Sequence, residues 1–198
     1  GTAVTSGSGS VTTDTTAPTL SNVSITSDNS TSTLAKAGDD VTLTFTASES
    51  ISTPSVTFRS GGDAITDGSV VYSNTSGNTW TAVYTANASD TDGAVTYSIA
   101  FSDTTGNAGT AVTSGSGSVT TDTTAPTLSN VSITSDNSTS TLAKANDDIT
   151  LTFTASEAIG TPVVTFRSGG DAITDGSVVY RNTSGNTWTA VYTANASD

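Results

Sequence analysis

The sequence predicts an all-β fold made of tandem β-sandwiches, and two observations support this. Short runs of alternating apolar and polar residues recur along the chain, separated by clusters rich in glycine, asparagine, aspartate and serine, and no stretch has helical periodicity. The chain also repeats itself after 108 residues. That period has the size of a whole domain and is too long for a solenoid or propeller unit.

The repeat is nearly exact in sequence. Residues 1–90 align with residues 109–198 with 84 identities in 90 positions. The six differences are Gly38/Asn146, Val41/Ile149, Ser50/Ala158, Ser52/Gly160, Ser55/Val163 and Ser73/Arg181. We interpret the chain as part of a tandem array: residues 1–15 form the C-terminal strand of a preceding repeat, residues 16–123 a complete repeat, and residues 124–198 a second repeat that lacks its last two strands.

The first three strands of the complete repeat follow from apolar spacing. Apolar residues between Leu20 and Ile25 mark the first strand, and a long polar connection follows. The second strand, Val41–Ala47, alternates strictly, so its valine, leucine and phenylalanine should face the core and its threonines should face water. Pro54 ends the next turn, because proline cannot donate to a ladder, and Val56–Phe58 forms the third strand.

Four more strands complete the predicted repeat. Val70–Tyr72 and Trp80–Tyr84 are joined by the hairpin loop Asn74–Asn78. Val95–Phe101 has four alternating apolar residues and should be the central core strand, and Gly109–Thr121 is the seventh strand. Seven short strands in about 108 residues predict an immunoglobulin-like sandwich.

Composition excludes several classes of function. The chain has 5 basic and 18 acidic residues, no histidine and no cysteine, and a net charge of −13. We expect no nucleic-acid partner and no binding to anionic membranes, since both need a basic surface. No apolar run approaches the roughly 20 residues of a membrane helix, so membrane insertion is not expected. A nucleophilic triad and a zinc site lack their histidine or cysteine, so we expect no enzyme.

The decapeptide VTTDTTAPTL occurs twice, at Val11–Leu20 and Val119–Leu128. Each copy places an aspartate, Asp14 or Asp122, before two threonines and an Ala-Pro pair. Because the proline favours extended geometry in the residue before it, the segment should stay extended between two strands. We interpret it as the joint between consecutive domains.

Four sequence runs resemble a known family. AKAGDDVTLTFTASES, GNTWTAVYTA, SDTTGNAGTAV and DTTAPT occur in order, and together they resemble the bacterial Ig-like repeats in the extender regions of giant secreted surface adhesins. The resemblance implies an extracellular stalk at the bacterial cell surface, used in cell adhesion and biofilm formation. It implies neighbouring repeats of the same chain as partners and calcium at the joints. The chain has no GGxGxD nonapeptide calcium solenoid.

The carboxylates are the candidate calcium ligands. Strands that run up and down place Glu49 and Asp103 on turns at the pole where the chain enters, beside Asp14. Asp90 and Asp92 fall at the opposite pole, where head-to-tail stacking would bring them near Asp122 and Glu157 of the next repeat. Calcium takes six to eight oxygen ligands, which several carboxylates with loop carbonyls can provide. The alternative interpretation is that these acids are solvated turn residues.

Two other functions stay open. Each repeat could be a binding module that recognises a glycan or protein ligand through loops such as Asp63–Gly68. The chain could also be the subunit of an extracellular filament. Two periods would take 216 residues, 18 more than the 198 present. We expect the chain to continue past Asp198; in the alternative, Gly1–Asp14 of another copy completes the second repeat as a donated strand.

Overall fold

The computed structural model describes Gly7 and residues 9–65, 68–173 and 177–198. These residues form strands, turns and irregular segments, which confirms the all-β prediction. Within the same ranges, no helix has the length and apolar character needed to cross a membrane. The chain divides into two compact units, Gly1–Thr124 and Ala125–Asp198, called the first and second unit below.

The first unit is a sandwich of two sheets. One sheet has four strands in the order β1-β3-β7-β6, and the other has five in the order β2-β9-β8-β4-β5. The strands are β1 (Leu20–Ser27), β2 (Leu34–Ala35), β3 (Asp40–Ala47), β4 (Ser55–Ser60), β5 (Asp63–Ala64), β6 (Val71–Ser76), β7 (Thr79–Thr85), β8 (Gly93–Ala100) and β9 (Thr120–Thr121).

The core of the first unit lies between the two sheets. On β3 every second residue is fully buried, and the threonines between them are half-exposed, as the alternation predicts. Phe58 of β4 and Tyr84 of β7 meet across the core with ring centroids 4.9 Å apart. From β8, Val95, Tyr97 and Ile99 point into the same core. The predicted core strand therefore has the central place that its apolar spacing indicates.

The predicted seventh strand is wrong as a continuous element. Between residues 108 and 121 the chain makes one single bridge to β8, between Val112 and Ile99. It then crosses to β1, where Ser116 pairs with Ser24, and returns to form the two-residue β9. Glycines permit the crossing: a Cβ atom on Gly115 would lie 2.4 Å from the Val23 oxygen, and one on Gly117 would lie 2.3 Å from the Ile25 oxygen. The backbone comes too close to β1 for any side chain, so the segment joins both sheets.

The strand predicted for residues 1–15 belongs to a preceding repeat and stays a prediction. Residues 1–6 and 8 lie outside the described residues, whereas Gly7 and residues 9–15 form no strand. Val11 is 95% exposed. In the described part of this unit no strand pairs with the segment, and residues 108–121 make the pairings to β1 and β8.

The second unit repeats the first sheet but only part of the other. Its four-stranded sheet has the order β10-β11-β15-β14, and β12 and β13 form a separate pair. The strands are β10 (Leu128–Ser135), β11 (Asp148–Ala155), β12 (Arg167–Ser168), β13 (Asp171–Ala172), β14 (Val179–Ser184) and β15 (Thr187–Thr193). By the 108-residue period, the counterparts of β8 and β9 would follow residue 198.

Identical side chains are therefore buried in one unit and exposed in the other. Ile25 is 3% exposed, but its counterpart Ile133 is 60% exposed; Val23 is 9% exposed, but Val131 is 59% exposed. In the first unit β8 and residues 108–121 cover these positions, and no described residue of the second unit does so. Since the local sequence is the same, only the covering segment accounts for the difference.

This contrast predicts that the same isoleucine-to-alanine change has a large effect in the first unit and a small effect in the second. Ile25→Ala should lower the free energy of unfolding of the first unit by about 2–5 kcal/mol, because it leaves a cavity in a packed core. Ile133→Ala, in the same local sequence, should change the second unit by less than about 0.5 kcal/mol in dilute solution. Hydrogen exchange of the β3 and β11 amides reports each unit separately. Equal effects on the two units would contradict the assignment of the covering segment.

Candidate metal centre

Three carboxylates converge at one end of the first unit. Asp14 lies in the segment before β1, Glu49 in the turn after β3 and Asp103 in the turn after β8. An oxygen of each lies within 4.8 Å of the other two. Asp14 is exposed, Glu49 is half-buried and Asp103 is buried.

Backbone hydrogen bonds hold the three segments next to one another. The segment before β1, residues 14–19, is called the linker below. It is fixed to the turn after β3, because Ser48 donates its N–H to the Thr19 oxygen and its hydroxyl accepts from the Thr19 N–H. That turn is fixed to the turn after β8 by the bridge between Ile51 and Asp103. Hydrogen bonds between backbone segments therefore hold the three acids close to one another.

Asp103 is the buried anchor of its turn. Its Oδ1 accepts the N–H groups of Thr105, Gly106 and Asn107 at 2.9, 2.6 and 2.8 Å, and the Thr105 hydroxyl at 2.9 Å. Burial alone would raise the pKa of Asp103, but the hydrogen bonds from Asn107, Thr105 and Gly106 outweigh it and lower the pKa to about 2. The Asp103 carboxylate is therefore ionised at neutral pH.

Glu49 shows the opposite effect. Burial raises the pKa of its carboxyl, and the negative charges of Asp14 and Asp103 raise it further. Among the described residues, the salt bridges are Lys36–Asp39 and Lys144–Asp147, so no basic side chain forms an ion pair with the three acids. The cluster is an uncompensated concentration of negative charge.

The donor atoms fit a hard cation. Carboxylate oxygens suit calcium or magnesium, whereas zinc and copper favour imidazole and thiolate ligands, which this sequence lacks. Asp103 has one oxygen saturated, and its Oδ2 accepts a single bond, from the Asn107 amide at 2.7 Å. Asp14 Oδ1 accepts the Thr16 N–H at 2.9 Å, and among the described residues no donor bonds to the second oxygen of Asp14. Lone pairs therefore remain for an ion.

Asn107 belongs to the site although it is not among the predicted carboxylate ligands. Its amide nitrogen donates to Asp103 and also to the backbone oxygen of Asp14, at 3.1 Å. It thus joins the turn to the linker. The available signal was the run Asp103–Asn107, because Asp and Asn favour turns stabilised by their own side chains.

Asp90, Asp92 and Asp122 do not join a cluster. Within the described ranges, the three acids above form the one group with all ligand oxygens in mutual reach. Asp92 instead accepts the N–H of Thr123 at 2.7 Å and the hydroxyl of Thr124 at 2.6 Å. The Thr124 hydroxyl, with both donors of Thr123, lowers the pKa of Asp92. Asp92 therefore binds Thr123 and Thr124, in the second copy of the decapeptide, to the rest of the first unit.

The other predicted positions have simpler environments. Asp90 Oδ2 accepts the Asn87 N–H at 3.0 Å, and Asp122 Oδ1 accepts the Thr124 N–H at 3.2 Å. Glu157 follows β11 in the second unit as Glu49 follows β3 in the first. The predicted binding loop Asp63–Gly68 includes residues 66 and 67, which lie outside the described residues.

The comparisons with known proteins concern the fold. No family model and no curated protein matches the chain. Among solved structures it is similar to the I-band fragment I67-I69 from titin, with 11% identity, a TM-score of 0.45 and coverage of 91% of this chain and 56% of that one. The titin domains Z1Z2 in complex with telethonin give 16% identity, a TM-score of 0.33 and coverage of 94% and 86%. The titin Ig tandem A164-A165 has 14% identity and a TM-score of 0.31, and the match covers 91% of this chain and 82% of that one.

The chain thus spans about half the length of the I-band fragment. By its description, the A164-A165 structure is a tandem of immunoglobulin domains. The chain itself is all-β, and its first unit is a sandwich of two sheets.

The pKa of Asp103 predicts a pH-dependent stability difference. Its folded-state pKa of about 2 lies below the ordinary 3.8, so its ionised form stabilises the fold fully above pH 3.8 and loses that contribution as the pH falls toward about 2. Asp103→Asn should therefore lower the urea midpoint of the first unit at pH 7, and the gap from the original chain should close near pH 2. Asp171→Asn, at an exposed position, is the control and should show no gap at either pH. A gap that is independent of pH would contradict the role of the charge.

Proposed function

We propose that this chain is a stalk of tandem immunoglobulin-like repeats from an extracellular protein of a bacterial cell surface, stiffened by calcium at its joints. Its role is to hold an adhesive domain away from the cell, and it has no catalytic activity. The observation that supports this best is the convergence of Asp14, Glu49 and Asp103. One of these acids belongs to the linker and two to the domain that the linker enters.

Such a site would act on the joint itself. With three carboxylates close together and no basic partner among the described residues, the linker and the domain repel each other electrostatically. A bound calcium ion would supply the missing positive charge. Asp14, Glu49 and Asp103 would hold it, with water or carbonyl oxygens completing the six to eight ligands. The linker would then lose freedom relative to the domain.

The repeat extends this argument along the chain. The 108-residue period carries Asp14 and Glu49 to Asp122 and Glu157, whereas the counterpart of Asp103 falls beyond residue 198. The six substituted positions include no acid. Near-identical repeats suit a spacer, because each added copy adds length and the same kind of joint. A catalytic triad with a histidine base or a cysteine nucleophile is not possible, because the sequence has neither residue.

Calcium should stabilise the first unit against unfolding. An ion that binds the native state alone adds about 2.7 kcal/mol at a hundredfold excess over its Kd. Thermal unfolding in calcium and in chelator should therefore differ, and Glu49→Gln should reduce the difference. Asp171→Asn, outside the cluster, should leave it unchanged. Identical melting curves in calcium and chelator would contradict the proposal.

Calcium should also straighten the chain. The maximum dimension from small-angle X-ray scattering should be larger in calcium than in chelator. Asp122→Ala should abolish part of this change while both units stay folded, because Asp122 is exposed and accepts one bond, from the nearby Thr124 N–H. If Asp122→Ala unfolded a unit, Asp122 would belong to the fold and not to the joint.

A further inference from the structure

A stiff joint needs its linker to be attached to the domains on both sides. A cation held by Asp14, Glu49 and Asp103 would attach the linker to the domain that it enters. It would do nothing for the domain that the linker leaves, and a segment held at one end alone can still swing. The second copy of the decapeptide shows the other attachment. Its residues 122–127 correspond to the linker and are called the second linker below.

Asp92, in the polar corner before β8, binds two consecutive threonines of the second linker. Its Oδ1 accepts the N–H of Thr123 at 2.7 Å and the Thr123 hydroxyl at 2.9 Å. Its Oδ2 accepts the Thr124 hydroxyl at 2.6 Å. Hydrogen bonds to an ionised acceptor are roughly twice as strong as those between neutral groups. Both oxygens of this carboxylate therefore hold the chain as it leaves the first unit.

The surroundings of Asp92 hold both partners of this contact in place. On the linker side, Asp122 donates its N–H to the Ala35 oxygen at 2.8 Å, directly after the pairing of β9 with β2. On the other side, Gly93 has a φ of 141°, and a Cβ atom on it would lie 2.8 Å from the Gly61 Cα. The corner that carries Asp92 is thus packed against the turn between β4 and β5.

The next attachment of the second linker follows after a short gap. Ser156 of the second unit donates its N–H to the Thr127 oxygen at 2.9 Å, and its hydroxyl accepts the Thr127 N–H at 3.0 Å. Between Thr124 and Thr127 lie Ala125 and Pro126. The proline ring fixes the φ angle of Pro126 and restricts Ala125 to extended geometry. Few dihedral angles therefore remain free between the two attached points.

We propose that Asp92 is a positioning residue that attaches the outgoing linker to the domain that the linker leaves, through hydrogen bonds to two threonines. In this role Asp92 is a hydrogen-bond acceptor and not a calcium ligand. The run Asp-Thr-Thr occurs at Asp14–Thr16 and again at Asp122–Thr124, so each joint offers the same two threonines. The inference rests on the proposed stalk, in which calcium makes the attachment at the other end of the linker.

A distance measurement in chelator tests this attachment without calcium. The sequence has no cysteine, so Ser73→Cys and Arg181→Cys, at exposed positions of β6 and β14, provide one pair of spin labels. Double electron–electron resonance then gives the distribution of distances between the two units. Asp92→Ala removes the three hydrogen bonds to the second linker and should broaden this distribution.

A matched pair of threonine variants provides the control. Thr124→Val removes the hydroxyl that binds Asp92 and should also broaden the distribution; Thr124 is exposed, so the first unit should stay folded. Thr16→Val makes the same change in the first copy of the decapeptide, away from Asp92, and should leave the distribution unchanged. A distribution that is the same in the original chain, Asp92→Ala and Thr124→Val would overturn the proposal.

Repeating the measurements in calcium separates this inference from the stalk proposal. Asp92→Ala should retain the calcium-dependent rise in the melting temperature of the first unit, because Asp92 lies outside the cluster of three acids, whereas Glu49→Gln should reduce that rise. Absence of the rise in the original chain would contradict the calcium proposal and leave the chelator result standing. If Asp92→Ala broadened the distances in calcium and Thr124→Val did not, Asp92 would act as a calcium ligand, and the inference would be wrong.

Discussion

The requirement that an apolar sheet face be covered governs this structure. In the first unit, β8 and residues 108–121 supply the cover, and the strands on both sides of the core become buried. The second unit has a sheet of the same kind, in the order β10-β11-β15-β14, with registers that match those of the first unit. Burying one isoleucine side chain adds about 1.5–3 kcal/mol to the free energy of unfolding. On β10, Leu128, Val131 and Ile133 are exposed.

The covering segment also builds the site. Asp103 follows β8 directly, and Asn107 reaches from the same turn to the linker at Asp14. The glycine-rich stretch that follows crosses to β1 and returns, which closes the sandwich next to the linker. Packing of the core and assembly of the acids are therefore consequences of one stretch of chain. A domain in which this stretch is displaced would lose the third carboxylate together with its core.

The acids of the first unit divide into two kinds. Asp39, Asp92 and Asp103 accept several hydrogen bonds, have lowered pKa values and hold turns or linkers in place. Glu49 lies among like charges, and its pKa is raised. The first kind serves the fold. For Glu49, burial raises the pKa most and the charges of Asp14 and Asp103 raise it further, and the proposed calcium ion would relieve that repulsion. Asp103 belongs to both groups, since it anchors a turn and borders Glu49.

The sequence by itself determined the class of fold, the 108-residue period and the inward face of β3, because side-chain alternation is a local property of an extended chain. It also placed Glu49 and Asp103 on turns at the pole of Asp14. Tertiary structure alone decided that residues 108–121 cross between sheets, that Asp92 binds the linker threonines, and that Ile25 is buried where Ile133 is exposed. Burial depends on what packs against a residue from far along the chain, and two identical local sequences carry no information about that partner.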